Sequence, residues 1–112
     1  MTLNDYQTLV KRTSANGALP EARDRLACYA LGAAGEAGEV ADLFKKHLFH
    51  GHDLDKGVLQ KELGDVLWYL AALCTELGIS LESVAEGNVA KMKERYPEGF
   101  SVEASKARRD LP

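Results

Sequence analysis

The chain has little of what staples, breaks or buries a polypeptide wholesale. Only two cysteines occur in 112 residues, Cys28 and Cys74, each inside an apolar helical stretch. Such thiols read as reduced core groups, which argues against a disulfide-stapled secreted scaffold and against a cysteine metal site. Proline is nearly as scarce, three in all, and Pro20 and Pro97 fall at the ends of patterned segments rather than within them. No apolar run reaches the roughly 20 residues of a membrane span. The opening "MTLNDYQTLVKRTS" lacks a signal peptide's apolar core and small-residue cleavage site, so a cytoplasmic protein is expected. Positive charge is not in excess either: a net charge of -3 argues against a non-specific nucleic-acid binder, and neither nucleic acid nor membrane is an expected partner. Strand-type alternation is missing too, and the Gly and Pro punctuation arrives at helical intervals.

What remains is helix, in one domain large enough for a hydrophobic core. Thr2 caps a first helix whose Leu3, Tyr6, Leu9 and Val10 recur at helical spacing. "SANGALP" is a break. A second helix is predicted from about Glu21 to about His50, with Gly51 just past its end. Asp53 or Asp55 caps a third, running to about Leu77 and stopped by Gly78. Ser80 caps a fourth, "LESVAEGNVAKMKERY", whose Lys91, Lys93 and Arg95 near its end suit the helix dipole. Residues 1–100 are expected to form the domain, and 101–112 a polar, loosely held tail. The fold class is all-α, a bundle of four to five helices.

The third helix points beyond a single copy. "VLWYLAALC", residues 66–74, carries no charge, so that helix is apolar around its whole circumference and is expected to be buried on every side. A chain this short does not have enough helix to surround it. A homodimer, or a tetramer built as a dimer of dimers, would.

Against this apolar background stand two acidic pairs, Glu36-x-x-Glu39 in "GEAGEVADLFKKHLFHGH" and Glu62-x-x-Asp65 in "QKELGDVLWYLAALCTELG". Residues three apart on a helix lie roughly 60° from one another, so each pair shares a face. The short "HGHDLDKG" folds the two helices back on each other and lets the pairs meet as four carboxylates in one cleft. Such a cluster must either hold protons or be neutralised by cations. Oxygen-only ligands suit a hard ion, Mg2+ or Mn2+; a ferritin-like di-iron site would need Glu-x-x-His, which neither pair offers. Gly32, Gly35, Gly38 and Gly64 lie in the same helices, where glycine costs about 1 kcal/mol relative to Ala. Their presence predicts close approach of a helix or ligand. On the fourth helix Asn88, Lys91 and Arg95 share a face and can grip a polyphosphate, with Lys46 as a second candidate. Tyr69, one turn after Asp65, and Gln7 are further candidates to touch a bound ligand, and Trp68 is expected in core or interface. His47, His50 and His52 read as a solvated helix end and loop, since no fourth zinc ligand accompanies them.

These residues resemble the MazG-like all-α nucleoside triphosphate pyrophosphohydrolases. "GEAGEVADLFKK" and "KELGDVLWYLAAL" are similar to that family's Glu-x-x-Glu and Glu-x-x-Asp metal motif, "GNVAKMKERYPEGF" to its Asn/Lys/Arg segment, and "LNDYQTLVKRT" to its first helix. The resemblance implies hydrolysis of a nucleoside triphosphate between the α- and β-phosphates, to monophosphate and pyrophosphate, in nucleotide-pool control or house-cleaning. It also implies that Glu36, Glu39, Glu62 and Asp65 hold Mg2+, with either Glu36 or Glu39 as general base. Two other readings stay open: a non-catalytic helical module that senses nucleotides or binds a partner, and a hydrolase of a guanosine polyphosphate. Intact carboxylates and an intact basic row favour the enzyme. Base and sugar preference depend on pocket shape, which the sequence leaves open.

Overall fold

Contacts within a few residues of chain set where the helices begin and end. In the computed structural model, which describes residues 1–14 and 17–112, Thr2 opens α1 (Leu3–Val10). Its hydroxyl accepts the Asp5 N–H and the Asp5 carboxylate accepts the Thr2 N–H, each at 3.0 Å, which closes a capping box. α2 (Ala22–Phe49) starts after Glu21 with no side-chain cap and ends at His50. Of the two candidate caps for α3 (Lys56–Leu77), Asp55 is the one used: its carboxylate accepts the N–H groups of Gly57 and Val58. Gly78 ends α3 in the left-handed region at φ 69°, where a Cβ would be strained, and Ser80 opens α4 (Leu81–Arg95) by accepting the Ser83 N–H. There is no strand among the described residues, and the all-α expectation holds. The predicted break "SANGALP" separates α1 from α2, although its Ala15 and Asn16 lie outside the described residues.

α2 and α3 form the central pair, α1 lies against α3 and α4, and α4 packs on α1 and α3. The core is small: Val10, Tyr29, Ala71, Ala72, Cys74 and Leu81 are buried, with Leu3, Tyr6, Trp68, Tyr69 and Leu73 packed against them. Polar clamps hold α1 in place. The Gln7 amide donates to Thr75 Oγ1 (3.1 Å) and to the Ile79 carbonyl (3.0 Å), and its oxygen accepts the Leu81 N–H (2.7 Å). Asn4 donates to Glu82 and accepts from Ser80 in the same turn. Arg25 ties the entry of α2 to α3, donating to Glu76 at 2.8 Å and to the carbonyls of Leu19 and Pro20.

Two expectations are corrected. The tail is not loosely held. Residues Val102–Ala107 form α5, capped by Ser101 and packed on α4, with Ala104 buried. Asp110 then anchors the end of the chain: its side chain is 1% exposed and receives two hydrogen bonds from Arg95, at 2.8 and 2.9 Å. The guanidinium holds the Asp110 carboxyl well below its usual range, and the carboxylate raises Arg95 in turn. Cys28 is exposed, not a core thiol; Cys74 is buried, and burial pushes its thiol up. α3 is not covered on every side within one copy, as expected of a chain too short to surround it. Ala71, Ala72 and Cys74 are buried, while Leu63, Leu67 and Leu70 are 51%, 36% and 41% exposed. No single helix among the described residues is long and apolar enough to cross a membrane.

Candidate metal and nucleotide site

The pairing of α2 with α3 brings three carboxylates of the two acidic pairs together. An oxygen of Glu36, one of Glu62 and one of Asp65 lie within 4.8 Å of one another, with Glu36 and Glu62 half-buried and Asp65 exposed. Glu39, one turn further along α2, stays outside this cluster and is exposed, yet its charge is felt at Glu36 and at Lys46. So the cleft of four is a cluster of three with a fourth carboxylate beside it.

Like charges this close repel, and Glu36 shows the consequence. Its carboxyl is pushed up from the ordinary value, first by a hydrogen bond with Glu62, then by burial, then by the charges of Asp65, Glu62 and Glu39. Tyr6, on α1, is also raised, by burial and then by Asp65, which places the α1 ring within reach of the same field. An all-oxygen set at this spacing fits a hard divalent cation better than a soft one. The alternative is a proton held on Glu36.

Beside the carboxylates lies a cavity of about 510 Å³ lined by Thr13, Glu36, Asp65, Trp68 and Tyr69. Its aromatic wall is braced from behind. Trp68 meets Tyr69 edge-on, ring centres 5.0 Å apart, and Tyr29 edge-on at 6.0 Å. The indole Nε1 donates to Thr13 Oγ1 at 2.8 Å, which ties α3 to the segment after α1. Trp68, expected in core or interface, therefore also faces the cavity. Thr13 was not legible as a site residue. It meets Trp68 across 55 positions of chain, and no local pattern marks such a contact.

The other candidates are distributed differently. Tyr69 lines the cavity as expected. Lys46 is half-buried and paired with Asp42 at 2.9 Å, which lowers Asp42 and raises Lys46. Asn88 and Lys91 are exposed on α4, which packs on α1, α3 and α5 but not on α2 among the described residues. Arg95 shares their helix face but is occupied by Asp110. The Gln7 amide is taken up at the α3–α4 turn, away from the carboxylates. His47, His50 and His52 are exposed around the end of α2, with His47 Nδ1 2.7 Å from the His52 carbonyl, and they form no metal cluster among the described residues. Of the four glycines, only Gly32 meets a neighbour, the Tyr69 ring; Gly35, Gly38 and Gly64 face open space within one copy.

Comparison with known proteins points the same way. The chain is 38% identical over 73 residues to "Gene 37 protein" of Mycobacterium phage L5, an alignment covering 62% of this chain and 64% of that one. The chain thus spans a little under two thirds of that relative's length. No solved structure matches. The profile of the MazG nucleotide pyrophosphohydrolase domain matches residues 26–100, a span that takes in both acidic pairs, the aromatic wall and the basic row of α4, and the chain belongs to that family.

Proposed function

We propose that this chain hydrolyses a nucleoside triphosphate at the α–β phosphate bond, releasing monophosphate and pyrophosphate. The observation that carries the reading is the convergence of Glu36, Glu62 and Asp65, two of which, Glu36 and Asp65, line a cavity together with Trp68 and Tyr69. Carboxylates alone would repel a polyphosphate; carboxylates holding cations attract one. Glu36, Glu62 and Asp65 would hold Mg2+, or Mn2+ in its place. When bound, the ion supplies charge neutralisation at the phosphate oxygens and lowers the pKa of a coordinated water. Glu39 stands outside the cluster and keeps its oxygens for a proton, so we assign it the general-base role ahead of Glu36. Tyr69 offers a ring face or edge to the base. Asn88 and Lys91 are assigned to the polyphosphate, and Arg95 joins them only by exchanging its Asp110 partner for a phosphate oxygen.

The assay is product analysis with purified protein and Mg2+ across the eight common NTPs and dNTPs, with Glu39→Gln in parallel. Monophosphate and pyrophosphate from the wild type, lost with chelator and reduced ~100-fold or more in the variant, is the expected result. Orthophosphate as first product would place cleavage at another bond. A folded protein that turns over none of the panel would move the weight to a binding module or to a nucleotide of another class.

Self-association is part of the same reading. The radius of gyration is 17.2 Å, where a compact chain of this length would have about 13 Å. Leu63, Leu67 and Leu70 on α3 and Leu31, Leu48 and Phe49 on α2 are all exposed in a single copy. A second copy covering these faces would bury them. Sedimentation equilibrium is expected to return at least twice the chain mass of 12.2 kDa. A monomer at micromolar concentration would contradict this.

A further inference from the structure

Gly32 lies on α2 one turn before Glu36, and its missing side chain is the seat of the Tyr69 ring. A Cβ built there would overlap Cδ1, Cε1 and Cζ of Tyr69. Other helical glycines differ: at Gly35, Gly38, Gly64 and Gly87 a Cβ would meet nothing within 4 Å. Alanine is the better helix former, so an interior glycine is a concession unless close approach requires it. At position 32 close approach does require it.

The ring is also held on its other side. Trp68 meets it edge-on at 5.0 Å and 86°, and Trp68 cannot simply swing away, because Thr13 receives its Nε1 proton at 2.8 Å and Tyr29 packs on it at 6.0 Å. The Tyr69 ring thus stands between the bare backbone of α2 and the latched indole, in a definite position. That position forms the wall of the cavity that contains Glu36 and Asp65.

We infer that Gly32 is a positioning residue that sets substrate affinity: by leaving room for the Tyr69 ring it fixes the width of the cavity beside the carboxylates. The inference rests on the reading above that this cavity takes the base-bearing end of a nucleotide. An added methyl at 32 drives the ring off α2 and changes the fit of the bound base, while Glu36, Glu62 and Asp65 keep their places on the helix backbones.

The test compares wild type, Gly32→Ala, Tyr69→Ala and the double variant, with Gly87→Ala as a control for helix propensity. Steady-state kinetics and tryptophan emission are both read, the latter because Trp68 is the single tryptophan and lies against Tyr69. Gly32→Ala is expected to raise KM by ~10-fold with kcat changed less than ~3-fold. Its emission shifts as the ring moves. In the Tyr69→Ala background the same methyl is expected to change neither quantity, since the group it collides with is gone. Wild-type KM and emission in Gly32→Ala, or an equal KM increment with Tyr69 removed, would overturn the proposal. Should Gly32→Ala fail to fold, a folded double variant sustains the seat and an unfolded one overturns it. If the wild type turns over no nucleotide, the functional reading fails by itself, and the emission series still decides whether Gly32 seats the ring.

Discussion

Glu36→Gln is expected to lower triphosphate turnover by at least ~100-fold while leaving the metal-free fold as stable as wild type or more so. The two effects have opposite signs because one group serves the site at the expense of the fold. The Glu36 carboxyl is held above its ordinary 4.5, chiefly by the Glu62 hydrogen bond, then by burial and the neighbouring carboxylates. For a group raised on folding, the stabilising contribution is complete below the unfolded value, about 4.5, and is lost as pH rises through the raised folded value. The metal-free wild type loses it as pH rises through that value, whereas an amide at position 36 carries no charge to repel.

A cation reverses the balance. With Mn2+ at ~100 times its Kd, wild-type Tm is expected to rise by roughly 10 °C at pH 7.5, and by much less at pH 5, where protons compete for the same oxygens. The Glu36→Gln variant should show less than half of that rise. Thermal melts with and without cation at the two pH values, alongside the product assay, read every part of this. A full cation shift in the variant, or turnover within ~3-fold of wild type, would remove Glu36 from the site.

Tyr29→Ala is expected to be the most destabilising single core substitution, costing about 3–5 kcal/mol by analogy with other large aromatic-to-alanine changes. Tyr29 is the largest fully buried side chain, 1% exposed, and most of the buried residues clustered with it are small: Ala71, Ala72 and Cys74. Small neighbours on fixed helices collapse poorly into the space an aromatic ring leaves, so the cavity term stays large. The ring also supports Trp68, and through it the Thr13 latch and the cavity wall. Total stabilities of roughly 5–15 kcal/mol leave little after such a loss. Chemical denaturation of wild type and variant measures it. A loss under ~1 kcal/mol would mean that the core relaxes around the vacancy or is anchored elsewhere.

Which features could be read without coordinates follows from how far apart the interacting groups stand. The boundaries of α1, α3 and α4 were legible because their causes are local: Thr2 with Asp5, Asp55 with Gly57 and Val58, Ser80 with Ser83, and the left-handed Gly78. α5 has the same kind of cap in Ser101 but is six residues long, too short for periodicity to announce it. The acidic pairs were legible as pairs, since residues three apart on a helix must share a face. Whether they met depended on the relative rotation and register of α2 and α3. Glu39 therefore stands outside the cluster although its spacing from Glu36 equals that of Asp65 from Glu62.

Gln7 and Arg95 show the same limit. Both carry chemistry that suits a nucleotide, and in both that chemistry is engaged by the chain itself: Gln7 by residues some 70 positions away, Arg95 by an aspartate in a segment that reads as polar tail. The sequence by itself determined helices α1 to α4, the caps at Thr2 and Ser80, the apolar α3 and the two acidic faces, because each follows from neighbours along the chain or from helical periodicity. Only the tertiary structure decided which carboxylates converge, that Gly32 seats Tyr69, that Thr13 latches Trp68 and that Asp110 takes Arg95. Those contacts join separate elements, and their geometry is set by the packing of whole helices rather than by any short stretch of residues.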